Sequence, residues 1–478
     1  MDQPQSLRTA CAHPDTLFAT APETLIRLLY REFPHDINRL RRAYSLRTTT
    51  DHPSTPSPSP SPSHILFNEV HDEVNRTLTS FLALRWIHLD AYEAFVASQP
   101  PETRLTRASF AWLRSFYTQT ILNTNTNTHV NSNSNSNPDP DPSAALYALI
   151  TSIITNDLGK DPSLAREYHS ATGLPIAHQN HDAILHAACT VDGLLPSLEA
   201  LPGAYKELVR AGIALGATFN FGQLAQAENA PVALEAVRGL HGWVQSQTQD
   251  QVRGQGQGQG TRVLELRFLE QVLDLAGAAG HIDWSCARKL TQPIFESYRD
   301  VYDACESVSR GRLGAGGGYD LVLGRRAERL AALGQGMRVL TVERREDRAV
   351  LRLLCMGNVN TVERAELFLR AWWALDEAVR TRLVDALNVH GRKGEPAVQM
   401  TYMPALLSRI RDERALRYAL RFLGRGMVVT DAVDADAVVI ERTVLGVLKR
   451  YVESGGFDED PTVLDRVDVP GGVVAQRA

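Results

Sequence analysis

No run of 18 or more uninterrupted apolar residues occurs in the 478-residue chain, so no membrane-spanning helix is expected. The opening stretch MDQPQSLRTACAHPDTLF lacks the charged-then-apolar order of a secretory signal. Cysteine is scarce: Cys11, Cys189, Cys286, Cys305 and Cys355 are odd in number, scattered, and free of CxxC spacing. That argues against a disulfide framework and a structural zinc site and points to a reducing, cytoplasmic setting. GxSxG, a Walker loop and a strand-preceded GxGxxG are also missing; GAGGGYD at 314–320 lacks the Lys-Ser/Thr pair of a phosphate-binding loop.

What is present suffices for a large core, since 44% of residues are hydrophobic. The net charge of −5 conceals an asymmetry: residues 321–425 hold 20 Lys and Arg against 12 Asp and Glu. Nearly all those cations are arginines, whose planar forks match phosphate oxygens. Arginines spread over solvated helix faces beside Glu and Asp are the plainer alternative.

Three low-complexity stretches have compositions unable to build a core: 52–63, 123–142 and 245–260. Helical patterns resume on both sides of each, which marks them as expanded surface loops. Elsewhere apolar spacing is overwhelmingly helical, as in RVLELRFLEQVLDLAGAAG, where Val263, Leu264, Leu266, Phe268, Leu269, Val272, Leu273 and Leu275 cover a broad face. MRVLTVE at 337–343 and GMVVTDAV at 426–433 are the nearest strand candidates. The expected fold is all-α with at most a small β element, a remote HD-superfamily-like helical core being one possibility. Its expected segments are an N-terminal helical piece and Pro/Ser-rich linker (1–64), a main helical catalytic domain (65–425), and a C-terminal extension (426–478).

Three clusters could carry chemistry. NDLGK (156–160) and HQNHDAIL (178–185) approach the His…His-Asp signature of helical metal phosphohydrolases, with His71 and Asp72 as an early counterpart. Asn156, however, offers a neutral carbonyl where imidazole is needed, which weakens a transition-metal site. Asp161-Pro162-Ser163 reads equally as a helix cap, and Gly159 as the end of the preceding helix. The second cluster, GATFNFGQLAQAENAP, places Asn220, Gln223 and Gln226 at three-residue spacing, either an amide-recognising stripe or an exposed helix face. The third runs from His281 through Asp283, Ser285 and Cys286 to Asp300, Asp303 and Glu306, whose like charges favour a nearby cation or form a solvated acidic face.

Taken together, NDLGKDPSL, NHDAIL, GATFNFGQLAQAENAP, AAGHIDWSCARKLTQPIFESY, YDLVLGRR, LRLLCMG and EPAVQMTYMPALL resemble a fungal family, formerly a domain of unknown function, associated with arginine-containing cyclodipeptide synthases. The resemblance runs from about residue 65 to about 410. It implies a transferase joining two aminoacyl groups, one of them arginyl, from aminoacyl-tRNAs into a diketopiperazine. The esters are already activated, so the step needs no ATP; no cofactor and no metal are assigned, and no membrane partner is expected. The family's DDxxE motif finds its nearest match in YDACE, where Asp303 and Glu306 fit and Tyr302 stands at the first acidic position. The catalytic candidates are therefore Asp303, Glu306 and His281. The substrate-binding candidates are Asn156, Asp157, His181, Asp182, Asn220, Gln223 and Asp300. An HD-like phosphohydrolase and a non-catalytic helical interaction protein are the alternatives.

Overall fold

A computed structural model describes residues 6–45, 60–122, 141–240, 256–334, 339–429, 437–453 and 456–476. These residues are predominantly helical, with one three-stranded sheet: β1 (Ala397–Gln399) pairs parallel with β2 (Ala437–Glu441), which pairs antiparallel with β3 (Val473–Gln476). The expected all-α class with a small sheet holds. Its strands, however, lie elsewhere than 337–343 and 426–433. Described residues 339–343 form a loop and turn into the Arg345–Met356 helix, and 427–429 form a helix end and loop; 337–338 and 430–433 lie outside the described residues.

The chain forms two compact units, Met1–Thr218 with Val244–Phe295, and Phe219–Trp243 with Glu296–Ala478. They do not follow the sequence segmentation at 64/65 and 425/426. A helix, Pro62–Phe67, crosses the first of those points because Ser61 caps it, accepting from the His64 amide, and Pro62 opens it. The second falls at the C-terminal end of the Glu413–Gly426 helix, one residue before it stops. The low-complexity stretches are likewise shorter than expected at their C-terminal ends. Helices begin at Pro142 and Gly256; most of each stretch lies outside the described residues.

The first unit is organised around helices with little polar surface. Asp72–His88 buries all of its residues from Glu73 to Ser80 except Arg76, then its apolar C-terminal half. Pro142–Thr155 is as fully enclosed, started by Asp141, whose carboxylate accepts from the Ser143 amide at 2.9 Å. Gly256–Gly277 packs on Asp72–His88 at a very short separation. A Cβ on Gly277 would stand 2.4 Å from the Arg76 carbonyl oxygen, and one on Gly280 would stand 2.6 Å from that of Asn75. Only glycine permits that approach.

The second unit packs the Ala315–Leu333, Arg345–Met356, Val362–Trp373, Glu377–Leu387 and Glu413–Gly426 helices with the sheet. The 219–243 segment is tied to it by the Tyr319 hydroxyl, which donates to the carbonyls of Ala227 (3.0 Å) and Asn229 (2.9 Å). Arg352, fully buried, donates to the same two carbonyls and to that of Leu387, and its guanidinium lies over the Tyr319 ring.

Candidate functional site

The two halves of the opening motif meet in the first unit. After the Pro142–Thr155 helix, Leu158–Lys160 makes one 3-10 turn, so Gly159 does not end the helix as its position in the sequence suggests. Its role is steric: a Cβ there would fall 1.9 Å from the His181 carbonyl oxygen. Close approach brings NDLGK against the start of the His181–Ala188 helix, whose cap Asn180 accepts from the Ala183 amide at 2.8 Å. Asp161 does cap the Pro162–Thr172 helix, and it also binds Arg39 and Arg42 at 3.3 and 2.8 Å.

Around this junction lies a network of charges. Lys160 Nζ stands 2.8 Å from Glu73 Oε2 and 2.9 Å from Asp157 Oδ1. Glu73 also receives Arg76, which donates from its Nε to His281 Nδ1 at 3.0 Å. His181 Nε2 lies 3.9 Å from Asp157 and 3.7 Å from Asp182. Asn156 Oδ1 accepts from Arg267 at 3.1 Å, and Arg267 is ion-paired to Glu270. Thus the asparagine at the expected imidazole position serves an arginine, and the cation between the carboxylates is the protein's own lysine.

The electrostatics divide the network. Burial would raise the Asp157 carboxyl, but Lys160 and then His181 outweigh it and hold it below its usual range. Burial would likewise lower the Lys160 ammonium, yet Asp157, Glu73 and Asp274 keep it above its usual range. Glu270 goes the other way: burial pushes it up to about 7 despite Arg267, with Asp157 and Asp182 adding to the rise. Asp274, half-buried, is held well above the usual range by lost hydration and then by the Asp157 carboxylate, against Lys160. Asp274 has no ion pair among the described residues.

Sequence reasoning missed Glu73, Arg76, Lys160, Arg267, Glu270 and Asp274 as members of this site. The available signal was Arg267, Glu270 and Asp274 at i, i+3 and i+7 along one side of a helix with a broad apolar face, a charged stripe that needs internal partners where it is buried. His71, the early candidate, accepts instead from Arg41 at 3.2 Å beside Glu69, and His178 is exposed. Among the described residues no three or more His, Cys, Asp or Glu side chains are grouped to hold a metal ion. A surface recess lined by Asp90–Ala94 and Arg107 contains none of these residues.

The model of a family of unknown function (DUF6829) matches residues 26–464. The chain belongs to that family. No curated protein and no solved structure matches it. The DUF6829 match spans both units, and the remaining expected site residues of this family member lie in the second. Asn220 is a helix cap: its Oδ1 accepts from the Gln223 amide at 3.0 Å and opens the five-residue helix Phe221–Ala225. That helix is too short for an Asn220-Gln223-Gln226 stripe, and Gln226 already caps its far end. Asp300 is buried and paired with Arg329; burial raises its carboxyl although that arginine opposes. Glu306 is paired with both Arg310 and Arg312, each at 2.8 Å. Asp303 is exposed, without an ion pair among the described residues; partial loss of hydration raises its carboxyl against Arg299, with Asp300 and Glu306 adding. Of these three carboxylates, Asp300 and Glu306 are therefore engaged by the chain's own arginines and Asp303 is not. His281 belongs to the first unit, with Arg76.

The second unit also holds a buried carboxyl the sequence did not single out for acidity. Glu228 accepts from the Tyr402 amide at 2.6 Å, and burial pushes it up to about 8, with Glu441 adding to the rise. Beside it Asn229 is buried, and neither atom of its amide has a protein partner.

Proposed function

We propose that this DUF6829 protein is a tRNA-dependent cyclodipeptide synthase whose acidic cluster in the first unit receives the cationic end of an arginyl substrate. The observation that carries the reading is Asp274. It is a half-buried carboxyl with no ion pair of its own among the described residues, pushed well above the usual carboxylate range by lost hydration first and then by Asp157 and Glu270, against Lys160. A carboxyl in that state is relieved by a cation, and a guanidinium offers both charge and a forked donor geometry. Asp182 and His181, part-exposed at the same junction, leave the cluster open to solvent on their side.

Cyclodipeptide formation asks little more than placement of two esters and management of protons. Each amine attacks the other residue's ester carbonyl; a C–N bond forms, the C–O bond to the tRNA 3′-oxygen breaks, and one proton moves from nitrogen to that oxygen. Glu270, titrating at about 7, suits the carriage of such a proton at neutral pH. Lys160, Arg76 and Arg267 fix the surrounding carboxylates by ion pairs, so the acceptor is built before substrate arrives.

The test is expression in a heterologous host, with mass-spectrometric search for new arginine-containing cyclic dipeptides, comparing the wild type with Asp274→Asn. Product is expected from the wild type and at least tenfold less from Asp274→Asn, with no loss of thermal stability, because asparagine removes a carboxyl that is costly to ionise. Soluble wild-type protein without such a product would overturn the reading.

A further inference from the structure

Four of the 20 Lys and Arg in residues 321–425 share one helix. The adjacent, exposed Arg344 and Arg345 are engaged with Asp347 and Asp385. The Glu413–Gly426 helix is different. Its sequence ERALRYALRFLGRG turns Leu416, Ala419, Leu420, Phe422 and Leu423 into the core and leaves Arg414, Arg417, Arg421 and Arg425 at i, i+3, i+7 and i+11 on the other face. The helix contributes a single carboxylate, Glu413, which is engaged by Arg370 at 3.1 Å. Neighbouring helices carry mixed faces, as in Val362–Trp373 with Glu363, Arg364, Glu366 and Arg370.

Two of the four arginines are committed: Arg421 to Asp465 at 3.2 Å, and Arg425 to the carbonyls of Leu464 and Val467. Arg414 is exposed and Arg417 half-buried, and neither has an ion pair among the described residues. Tyr418 lies under two guanidiniums, those of Arg414 and Arg421, at 6.0 and 5.3 Å from its ring centre.

We infer that this face docks the phosphodiester backbone of RNA, with Arg414 and Arg417 on phosphates and Tyr418 beside them as a stacking platform. Guanidinium forks fit phosphate oxygens, and an aromatic ring among cations suits unstacked bases. A lipid surface is a poorer partner, because an interfacial helix inserts its apolar face and here that face is in the core. The choice of RNA over another polyanion rests on the aminoacyl-tRNA reading above; the basic face itself does not.

The experiment is fluorescence anisotropy of labelled, uncharged tRNA with the full chain between about 50 and 200 mM salt. The wild type should bind. The Arg414→Ala/Arg417→Ala double variant should bind at least tenfold more weakly, and its salt slope should be smaller by about 1.5 to 2 because about 0.9 is lost per phosphate contact in duplex. Arg414→Lys/Arg417→Lys should retain most of the affinity, Arg27→Ala all of it, and every variant its melting temperature. Wild-type affinity and slope in the double Ala variant would overturn the inference, as would a wild type that binds polyglutamate or anionic vesicles as tightly as tRNA. The two readings fail separately. Product from charged tRNA with unaltered binding by the double variant removes only the docking face; tRNA binding that depends on these arginines, without product, removes only the synthase.

Discussion

Gly159 and Glu228 show how single residues set this protein's stability in ways composition hides. At Gly159 the His181 carbonyl occupies the space a side chain would need, 1.9 Å from an added Cβ. Gly159→Ala must push NDLGK away from the His181–Ala188 helix. It should cost roughly 3 kcal/mol or more in urea denaturation, beyond what most point changes cost. Glu228 makes a prediction of opposite sign. Its carboxyl titrates near 8 in the folded chain and near the ordinary 4.5 when unfolded, so between those pH values the native state holds the extra proton. The contribution is fully present below about 4.5 and is lost as pH rises through about 8. Glu228→Gln keeps an acceptor for the Tyr402 amide and removes the titration. Thermal melts from pH 5 to 9 should show the wild type losing stability relative to Glu228→Gln as pH rises, with the variant the more stable at pH 9. Parallel curves would show that Glu228 does not titrate in that window.

Among elements, the junction of the Asp72–His88 helix, the 158–160 turn and the Gly256–Gly277 helix carries the argument. Lys160 bridges Glu73 on the helix and Asp157 beside the turn. Lys160→Met should destabilise the fold by about 3–5 kcal/mol, since it strips buried Asp157 of its close cation and leaves buried Glu73 with Arg76 alone. Adding Glu73→Gln should recover part of that loss, and a double-mutant cycle by denaturant melts measures the coupling. This junction was half legible in the sequence. NDLGK and NHD declare themselves by polar residues on apolar surroundings, and Asp157, His181 and Asp182 do come together. Glu73, Glu270 and Asp274 were harder to see, because each sits in a helix whose hydrophobic width reads simply as core. Register between distant helices decides which charges meet, and local spacing does not contain it. The same limit applies to Asp303 and Glu306. Their spacing presents carboxylates near one helical face, but whether a substrate or Arg310 and Arg312 answers Glu306 depends on how the chain turns after Ser309.

At the scale of the whole chain, helical class and a small sheet follow from periodicity, and the family match spans nearly the full length. The strands could not be placed from sequence, since β1 and β2 are short and pair across some forty residues, and Ala397–Gln399 has no alternation to mark it. The charge asymmetry was visible as a composition, and the fold gathers four of its arginines on one face of Glu413–Gly426, while the first unit holds an acidic junction. Both features bear on one claim, that an arginyl group is taken from tRNA and closed into a cyclic dipeptide. The most direct measurement supplies purified protein with tRNA charged with radiolabelled arginine and a second charged tRNA, without ATP, and follows the label by chromatography. The account predicts transfer of label into an arginine-containing cyclic dipeptide, abolished by prior RNase treatment and reduced at least tenfold by Asp274→Asn. Label that remains on tRNA or leaves only as free arginine, or product formed equally well from free amino acids and ATP after RNase treatment, would contradict it.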